Sequence, residues 1–164
     1  MATLSYLKGD ATNPGGDPGK TRIIPHVCNS LGKWGAGFVL QVSKAFPEAE
    51  TAYRSMGSYE MGSVQFVPCA KGVVVANMIA QWGIGPLRDG SKQGCPPLRY
   101  GALFDAMFKV AYWAEHNGKC EIHCPRFGAG LAGGDWRVIE ALIQHLWVSP
   151  GLDVHVYWPE RAVP

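Results

Sequence analysis

The stretch HVCNSLGKWGAGF (residues 26–38) joins an apolar segment, RIIPHVC (22–28), to a helical pattern, AGFVLQVSKAF (36–46). Its glycines, Gly32, Gly35 and Gly37, allow left-handed backbone and let a ligand approach the main chain closely. Unpaired N–H groups at the start of the following helix attract anions. The stretch therefore predicts a strand–loop–helix unit that binds an anionic group such as a diphosphate, with Trp34 as a flat face or a lid. The alternative is a glycine-rich connection with a packing tryptophan.

A second stretch, PRFGAGLAGGDW (125–136), repeats the arrangement of strand, glycine-rich loop and helix. Two such loops in one small domain suggest a pair of main-chain walls around one elongated anion. Asp135 stands just before the helix, where aspartate is a common N-cap. A cap at the rim of a pocket can also hold a water molecule, and both interpretations stay open.

Apolar runs of strand length alternate with helical patterns along the chain. The strand-like runs are 4–9, 22–28, 63–69, 73–81, 120–126 and 153–158, and the helical patterns are 36–46, 47–56, 98–116 and 136–147. This alternation predicts an α/β fold, a three-layer α/β/α sandwich in a single domain, 1–164. A turn at CAKG (69–72) joins neighbouring strands, so we expect a mixed, mostly parallel sheet of about six strands. In the last helix, Val138, Leu142 and Leu146 predict the buried stripe, with Ile139 and Ile143 beside it.

Composition narrows the class of protein. The 164 residues are 47% hydrophobic and 17% charged, with a net charge of +2, which indicates an ordinary globular protein without a polybasic surface for nucleic acid. The N-terminal stretch has no signal-peptide pattern, so we expect a cytoplasmic protein whose five cysteines are reduced. In CEIHC (120–124), alternation on a strand turns His123 away from both thiols, so they cannot share one ion. We expect no metal and no cofactor.

Three further segments are candidates for binding or for exclusion. Asp10 ends the first strand, where it either grips a base or ribose or caps a turn. The long connection 81–97 is able to close over a ligand, with Arg88 or Lys92 meeting negative charge. NPGGDPGKT (13–21) approaches a phosphate-binding loop but has Pro14 where a glycine is required, so it is expected to be a surface loop. No GxGxxG follows the first strand, which disfavours a dinucleotide-dependent oxidoreductase.

Taken together, these motifs resemble a macrodomain, the α/β/α module that binds ADP-ribose. The resemblance runs from residue 4 to residue 158, and its most specific stretches are 26–38, followed by FPEAETAY (46–53), and 124–136. The branch it resembles includes glycohydrolases, ADP-ribose 1″-phosphate phosphatases and non-catalytic readers. The resemblance implies that ADP-ribose, free or attached to a protein, is the partner, and that nucleic acid is one only when ADP-ribosylated.

The resemblance also implies roles for individual residues. Asp10 hydrogen-bonds the adenine with Ala11 beside it, the first loop holds the distal ribose, and the second wraps the diphosphate. The ligand-binding set is Asp10, Ala11, Asn29, Lys33, Trp34, Gly35, Ala36, Gly37, Phe38, Gln81, Arg126, Phe127, Gly128, Ala129, Gly130 and Leu131.

Catalysis is where this sequence departs from the glycohydrolase pattern. The catalytic lysine of that pattern falls on Gln81 and its aspartate on Ala132. We therefore expect a water molecule between the diphosphate and Asp135 or His26, with Asn29 at the mouth of the loop, and general-base assistance of about 10²- to 10⁴-fold. The expected reaction is hydrolysis of ADP-ribosyl linkages, esters of acidic side chains first. A reader, a phosphatase and a purely structural His26 remain alternatives.

Overall fold

The computed structural model describes residues 1–84 and 96–158. Arg88 and Lys92, the expected ligands of the long connection, and the tail 159–164 lie outside the described residues. The strands are β1 (Leu4–Lys8), β2 (Thr21–Asn29), β3 (Val64–Pro68), β4 (Val73–Gln81), β5 (Cys120–Cys124) and β6 (Val154–Trp158). The helices are α1 (Val39–Ala45), α2 (Pro47–Arg54), α3 (Tyr100–Glu115) and α4 (Trp136–Ile143), and α4 runs on into a π-helical turn, Gln144–Val148.

The strands form one sheet in the order β1-β6-β5-β2-β4-β3. All neighbours are parallel except β3 and β4, which are antiparallel and joined by a short turn at Ala70–Gly72. The prediction of a mixed, mostly parallel sheet of about six strands is confirmed. Since parallel strands end at the same edge, the loops after β2, β4 and β5 gather at one side of the molecule.

Strand β4 shows why the sheet lies between two layers. Its residues from Val73 to Ala80 are all buried, as in a strand covered on both faces. Val75 and Ile79 pack with the residues of α1 and α2, whereas Met78 and Ala80 pack with those of α3 and α4. The predicted three-layer α/β/α sandwich is confirmed. Within the described residues, no helix has the length and apolarity to cross a bilayer.

The alternation predicted for β5 is also observed. Ile122 and Cys124 are buried on the face that meets α3 and α4, with Cys120 packed against the same cluster. His123 is buried on the opposite face, beside Glu121. The two thiols of this strand and His123 therefore do not converge on one point.

Helix α4 is turned differently from the sequence prediction. Its buried residues are Ile139 and Ile143, whereas Val138 is 41% exposed and Leu142 is half-buried. The predicted stripe is therefore confirmed at Leu146, and at Ile139 and Ile143 beside it, but is wrong at Val138. The apolar residues of α4 span a wider arc than the part of the helix that contacts the core. The π-helical turn then brings Trp147 inward, where its indole N–H donates to Met107 O at 2.9 Å.

Neighbouring substitutions in α4 test this orientation. We expect Ile139→Ala to lower the free energy of unfolding by about 2–5 kcal/mol, because it leaves a cavity in the core. Val138→Ala, one residue earlier, is the matched control and should change it by no more than about 0.5 kcal/mol. Urea denaturation of both variants measures the difference. A larger loss of unfolding free energy for Val138→Ala than for Ile139→Ala would show that Val138 faces the core, as the sequence predicted.

Candidate functional site

The candidate site is a cleft that opens where β2 and β5 separate. The two strands pair only from Thr21 to Ile23 of β2, after which β2 stays with β4 and β5 stays with β6. A cavity of about 710 Å³ lies beyond this point, between the loop after β2 and the loop after β5. It therefore occupies the carboxyl ends of parallel strands, the usual place for ligands in open α/β sheets.

Asn29 builds the first wall of the cleft. Its Oδ1 accepts from the main-chain N–H groups of Leu31 at 3.0 Å and Lys33 at 3.1 Å, and its Nδ2 donates to Lys33 O at 2.6 Å. The Tyr53 hydroxyl donates to Asn29 O at 2.6 Å from below. The side chain predicted as catalytic is thus engaged in folding its own loop. This loop and the residue after it present part of the cleft lining: Lys33, Gly35, Ala36, Gly37 and Phe38.

Trp34 does not face the ligand side of this loop. Its side chain is only 4% exposed, and its indole N–H donates to Val39 O at 3.0 Å and to the Ser43 hydroxyl. Its ring packs against Tyr53, with centroids 5.3 Å apart. The expectation of a flat face or lid is wrong, because this large ring is buried beneath α1 and α2. The alternative, a packing tryptophan, is the one observed.

The second wall follows β5. Gly128 has φ +76°, and a Cβ there would lie 3.2 Å from Ile139 and Leu98, so the position requires glycine. Its carbonyl accepts from Gly134 N–H at 2.7 Å, which closes the loop. This wall contributes Arg126, Phe127, Gly128, Gly130, Leu131 and Ala132 to the lining, whereas Ala129, which was expected to bind the ligand, is not among the residues that line the cavity.

Arg126 is fixed at this wall by two indole rings. Its guanidinium carbon lies 5.2 Å from the centre of the Trp158 ring and 5.7 Å from that of Trp136. Such cation–π contacts hold a charged side chain in place without neutralising it. The guanidinium therefore contributes positive charge beside the cleft.

Asp135 is the N-cap of α4. Its Oδ1 accepts from Arg137 N–H at 2.9 Å, and its Oδ2 lies 2.9 Å from the Arg137 guanidinium. Hydrogen bonds from Arg137 hold the pKa of this carboxyl below its usual value. Asp135 is not among the residues that line the cavity. The N-cap interpretation is confirmed, and the role of this carboxylate in activating water stays a prediction.

Asp10 forms a turn at the end of β1. Its Oδ1 accepts from the main-chain N–H of Thr12 at 2.8 Å and from the Thr12 hydroxyl at 2.7 Å. Ala11 is buried. Neither residue lines the cavity between the two loops. The turn-capping alternative is observed, and Asp10 is an exposed residue.

His26 lies at the floor of the cleft and is held by Asn77. The two residues are directly paired between β2 and β4, and His26 Nε2 lies 2.6 Å from Asn77 Oδ1. The Asn77 amide nitrogen donates to Ala49 O at 3.3 Å and to Gln65 Oε1 at 3.1 Å. Because this fixes the amide, Oδ1 faces the imidazole and Nε2 carries the hydrogen. Nδ1 therefore keeps its lone pair, with Cys28 Sγ 3.9 Å away.

Burial keeps His26 uncharged. The side chain is 2% exposed, and the loss of hydration lowers its pKa from 6.5 to about 4, although the hydrogen bond to Asn77 acts in the opposite direction. At neutral pH the imidazole therefore acts as a hydrogen-bond acceptor rather than as a cation. Asn77 was missed from the sequence, where the signal was a single amide inside the apolar run VVVANMIA.

The charges around the cleft have one sign. Among its lining residues in the described parts of the chain, Lys33 and Arg126 are cationic and none is a carboxylate. Gln81 and Ala132, which the resemblance places where the glycohydrolase pattern has its lysine and aspartate, both line the cavity. Other lining residues not predicted from the sequence are Val27, Cys28, Val39, Ile84 and Pro125. The cleft is suited to an anion and lacks the reactive pair of that pattern.

A second cavity, of about 650 Å³, lies at the opposite ends of the strands. It is bordered by Phe108 and Tyr112 of α3 and by Cys120 and Leu152 at the starts of β5 and β6. Neither glycine-rich loop reaches it. Because ligands of open α/β sheets sit beyond the carboxyl ends of strands, the cleft above β2 and β5 is the stronger candidate.

The structure defines an α/β/α domain with a cleft suited to an anion, and comparisons with known proteins identify its family. No family model matches the chain. The ADP-ribose 1″-phosphate phosphatase of Saccharomyces cerevisiae is 32% identical over 88% of this chain and 93% of its own length. A macrodomain protein from Streptomyces coelicolor is 40% identical, covers 95% of this chain and 99% of its own, and superimposes with a TM-score of 0.78.

A protein of unknown function from Bacteroides thetaiotaomicron is 39% identical over 95% of this chain and 98% of its own, with a TM-score of 0.87. Identity at this level over nearly the whole chain goes beyond likeness of fold. The chain belongs to the macrodomain family.

The burial of His26 predicts a dependence of stability on pH. Between about pH 4 and pH 6.5, the unfolded chain binds a proton at this residue that the native chain does not bind. The stability contribution is therefore complete above pH 6.5 and falls as the pH falls toward 4. From pH 7 to pH 5, wild type should lose about 2 kcal/mol more than His26→Gln, as measured by urea unfolding. Equal losses in both proteins would mean that His26 is not buried in its neutral form.

Proposed function

We propose that this chain binds ADP-ribose in the cleft between the two glycine-rich loops and hydrolyses a bond to the C1″ oxygen of the distal ribose. The observation that carries the proposal is the pairing of two main-chain walls, at Gly35–Gly37 and at 128–131, across one cavity whose charged lining residues are cationic. Main-chain N–H groups at such loops bind phosphate oxygens without a side chain. The diphosphate lies between the walls, with Lys33 at one side and Arg126 at the other.

The favoured substrate class is a phosphate monoester, ADP-ribose 1″-phosphate. The yeast relative that covers most of the chain is a phosphatase of this compound, which supports the assignment. The Lys33 ammonium and the loop amides would reduce the charge on the monoester, and a cleft without lining carboxylates does not repel it. Water attacks phosphorus and the bond from phosphorus to the C1″ oxygen breaks. Inorganic phosphate keeps the oxygen of the water, and ADP-ribose leaves with its C1″ oxygen, which takes up one proton of that water.

In this proposal the attacking water is oriented by His26. Its Nδ1 carries a lone pair, and a pKa of about 4 keeps that lone pair free of a proton at neutral pH. A base with so low a pKa removes a proton only weakly. The contribution of His26 is therefore to accept a hydrogen bond from the water and so to position it while the bond to phosphorus forms. Asn77 acts as a positioning residue because it holds the hydrogen on Nε2. Asp135 has no role in this step.

A second candidate is release of ADP-ribose from acidic side chains of proteins. Its support is the apolar rim of the cleft, where Leu131 is 70% exposed and Ile84 is 54% exposed. Both residues line the cavity and would contact the acceptor protein beyond the distal ribose. The same loops would bind the nucleotide, so the two candidates differ only in the group attached at C1″.

The binding part of the proposal is tested by two glycine substitutions with the same backbone strain. Gly128→Ala and Gly118→Ala both place a Cβ at positive φ, +76° and +78°, but only Gly128 lies at the cleft. Gly118→Ala should lower the free energy of unfolding by about 1–2 kcal/mol from the backbone alone. Gly128→Ala should lower it by more, because its Cβ would also lie 3.2 Å from core side chains. We expect ADP-ribose affinity, measured by calorimetry, to fall at least about tenfold in Gly128→Ala and to stay unchanged in Gly118→Ala. Equal affinities would remove the second loop from the site.

The catalytic part is tested with two substrates and two variants. Wild type should release inorganic phosphate from ADP-ribose 1″-phosphate faster than it releases ADP-ribose from a glutamate-linked acceptor. His26→Gln should lower kcat about 10²-fold with ADP-ribose affinity unchanged. Asp135→Asn, which retains the helix cap, should keep kcat within about threefold of wild type. Binding of ADP-ribose without turnover of either substrate would leave a reader and end the hydrolytic proposal.

A further inference from the structure

A cluster of two histidines and a glutamate lies on the sheet outside the cleft. Glu121 and His123 project from β5 on the face opposite Ile122, and His155 is the direct neighbour of His123 on β6. The two imidazole rings stack with centroids 4.6 Å apart. Glu121 and His123 are fully or almost fully buried, whereas the His155 side chain is 20% exposed.

The ligand atoms of this cluster already converge. Glu121 Oε1 lies 2.8 Å from His123 Nε2, and Glu121 Oε2 lies 3.9 Å from His155 Nε2. One ligand atom from each residue falls within 4.8 Å of the other two. With metal–ligand distances of about 2.0–2.2 Å, neighbouring donors of a tetrahedral zinc site lie about 3.3 Å apart. The two observed separations, which involve different oxygens of the carboxylate, lie on either side of that value.

We propose that Glu121, His123 and His155 form a binding site for one divalent transition-metal ion, with Zn²⁺ as the ion the donors suit best. Two imidazoles and one carboxylate favour zinc and its neighbours in the first transition series over Mg²⁺ or Ca²⁺, which take oxygen donors. Because His155 lies at the edge of the buried cluster, it provides the route of entry. The fourth position faces the same edge and is filled by water.

Tyr157 supplies the contact that metal-binding histidines commonly have behind them. Its hydroxyl lies 2.7 Å from His123 Nδ1, the ring nitrogen that points away from Glu121. In metal sites, a partner on the second ring nitrogen fixes the ring and sets its tautomer. When the ion takes Nε2, the imidazole hydrogen moves to Nδ1 and the Tyr157 oxygen accepts it. The imidazole stays neutral, and the hydrogen bond from His123 to Glu121 is replaced by two bonds to the metal.

Residues 16–20 lie above the cluster and contribute two contacts to Glu121. The Asp17 N–H donates to Glu121 Oε1 at 3.0 Å, a bond that a carboxylate keeps while it binds an ion through its other oxygen. Lys20 and Arg22 are nearby cations: Arg22 is the direct neighbour of Glu121 on β2, and Lys20 Nζ lies 4.0 Å from Glu121 Oε2. The same ammonium lies 3.5 Å from Asp153, so it retains an acidic partner when the ion enters. The ion would bridge β5 and β6 beneath residues 16–20.

The test is a cobalt titration of the full chain after removal of metals with a chelator. We expect one Co²⁺ per chain, with visible d–d absorption of a four-coordinate site and without the near-ultraviolet charge-transfer band that thiolate ligands produce. Zn²⁺ should displace it. His155→Ala should weaken binding at least tenfold while leaving the circular dichroism spectrum unchanged, because its side chain is partly exposed.

Two further variants separate a built site from adventitious binding. His116→Ala removes an exposed imidazole at the end of α3 and should leave the affinity unchanged. Tyr157→Phe removes only the hydroxyl behind His123 and should weaken binding about 10- to 100-fold. Failure to bind Co²⁺, a thiolate spectrum, or equal affinity in wild type and His155→Ala would each overturn the site. Since the cluster is outside the cleft, none of these results depends on ADP-ribose binding.

Discussion

Strand β2 has two parallel neighbours and stays with only one of them. Its pairing with β5 ends at Ile23, whereas its pairing with β4 continues to Asn29. The gap that opens between β2 and β5 is the cleft, and the loops that follow these strands become its two walls. If β2 and β5 stayed paired up to their carboxyl ends, the loops that follow them would lie together and leave no room for a ligand. The position of the site is therefore a consequence of strand register before it is a consequence of any side chain.

Positive character in this cleft comes mainly from the main chain. The whole protein carries a net charge of only +2, and within residues 1–84 and 96–158 two cationic side chains line the cavity. Under the proposed function, N–H groups of the glycine-rich loops supply the remaining hydrogen bonds to the anion and need no counter-ion when the cleft is empty. His26 also adds no charge: its buried, neutral imidazole places a hydrogen-bond acceptor at the floor of the cleft. Such a site discriminates by shape and hydrogen bonding more than by overall electrostatic attraction.

The sequence predicted most of the fold, because every strand and helix is a continuous apolar run or a regular helical pattern. It also located both loops, since glycines at strand ends mark places where backbone must approach a ligand. It could not supply contacts that depend on strand order. Asn77 meets His26, and His155 meets His123, only because their strands are neighbours. The errors at Trp34 and Val138 have a related cause. The burial of an apolar residue beside a loop, or on a wide apolar arc of a helix, depends on which neighbouring elements pack against it, and the sequence does not show this.

Strand β1 forms one edge of the sheet and pairs only with β6. It is five residues long, and its last three, Tyr6 to Lys8, are exposed. Edge segments with so little burial open locally at a small fraction of the global unfolding energy, and their amide hydrogens exchange with solvent early. The turn that carries Asp10 is the direct continuation of this strand. A ligand that engages Asp10 would therefore have to hold the edge closed, and its affinity would be reduced by the fraction of molecules in which the strand has come away.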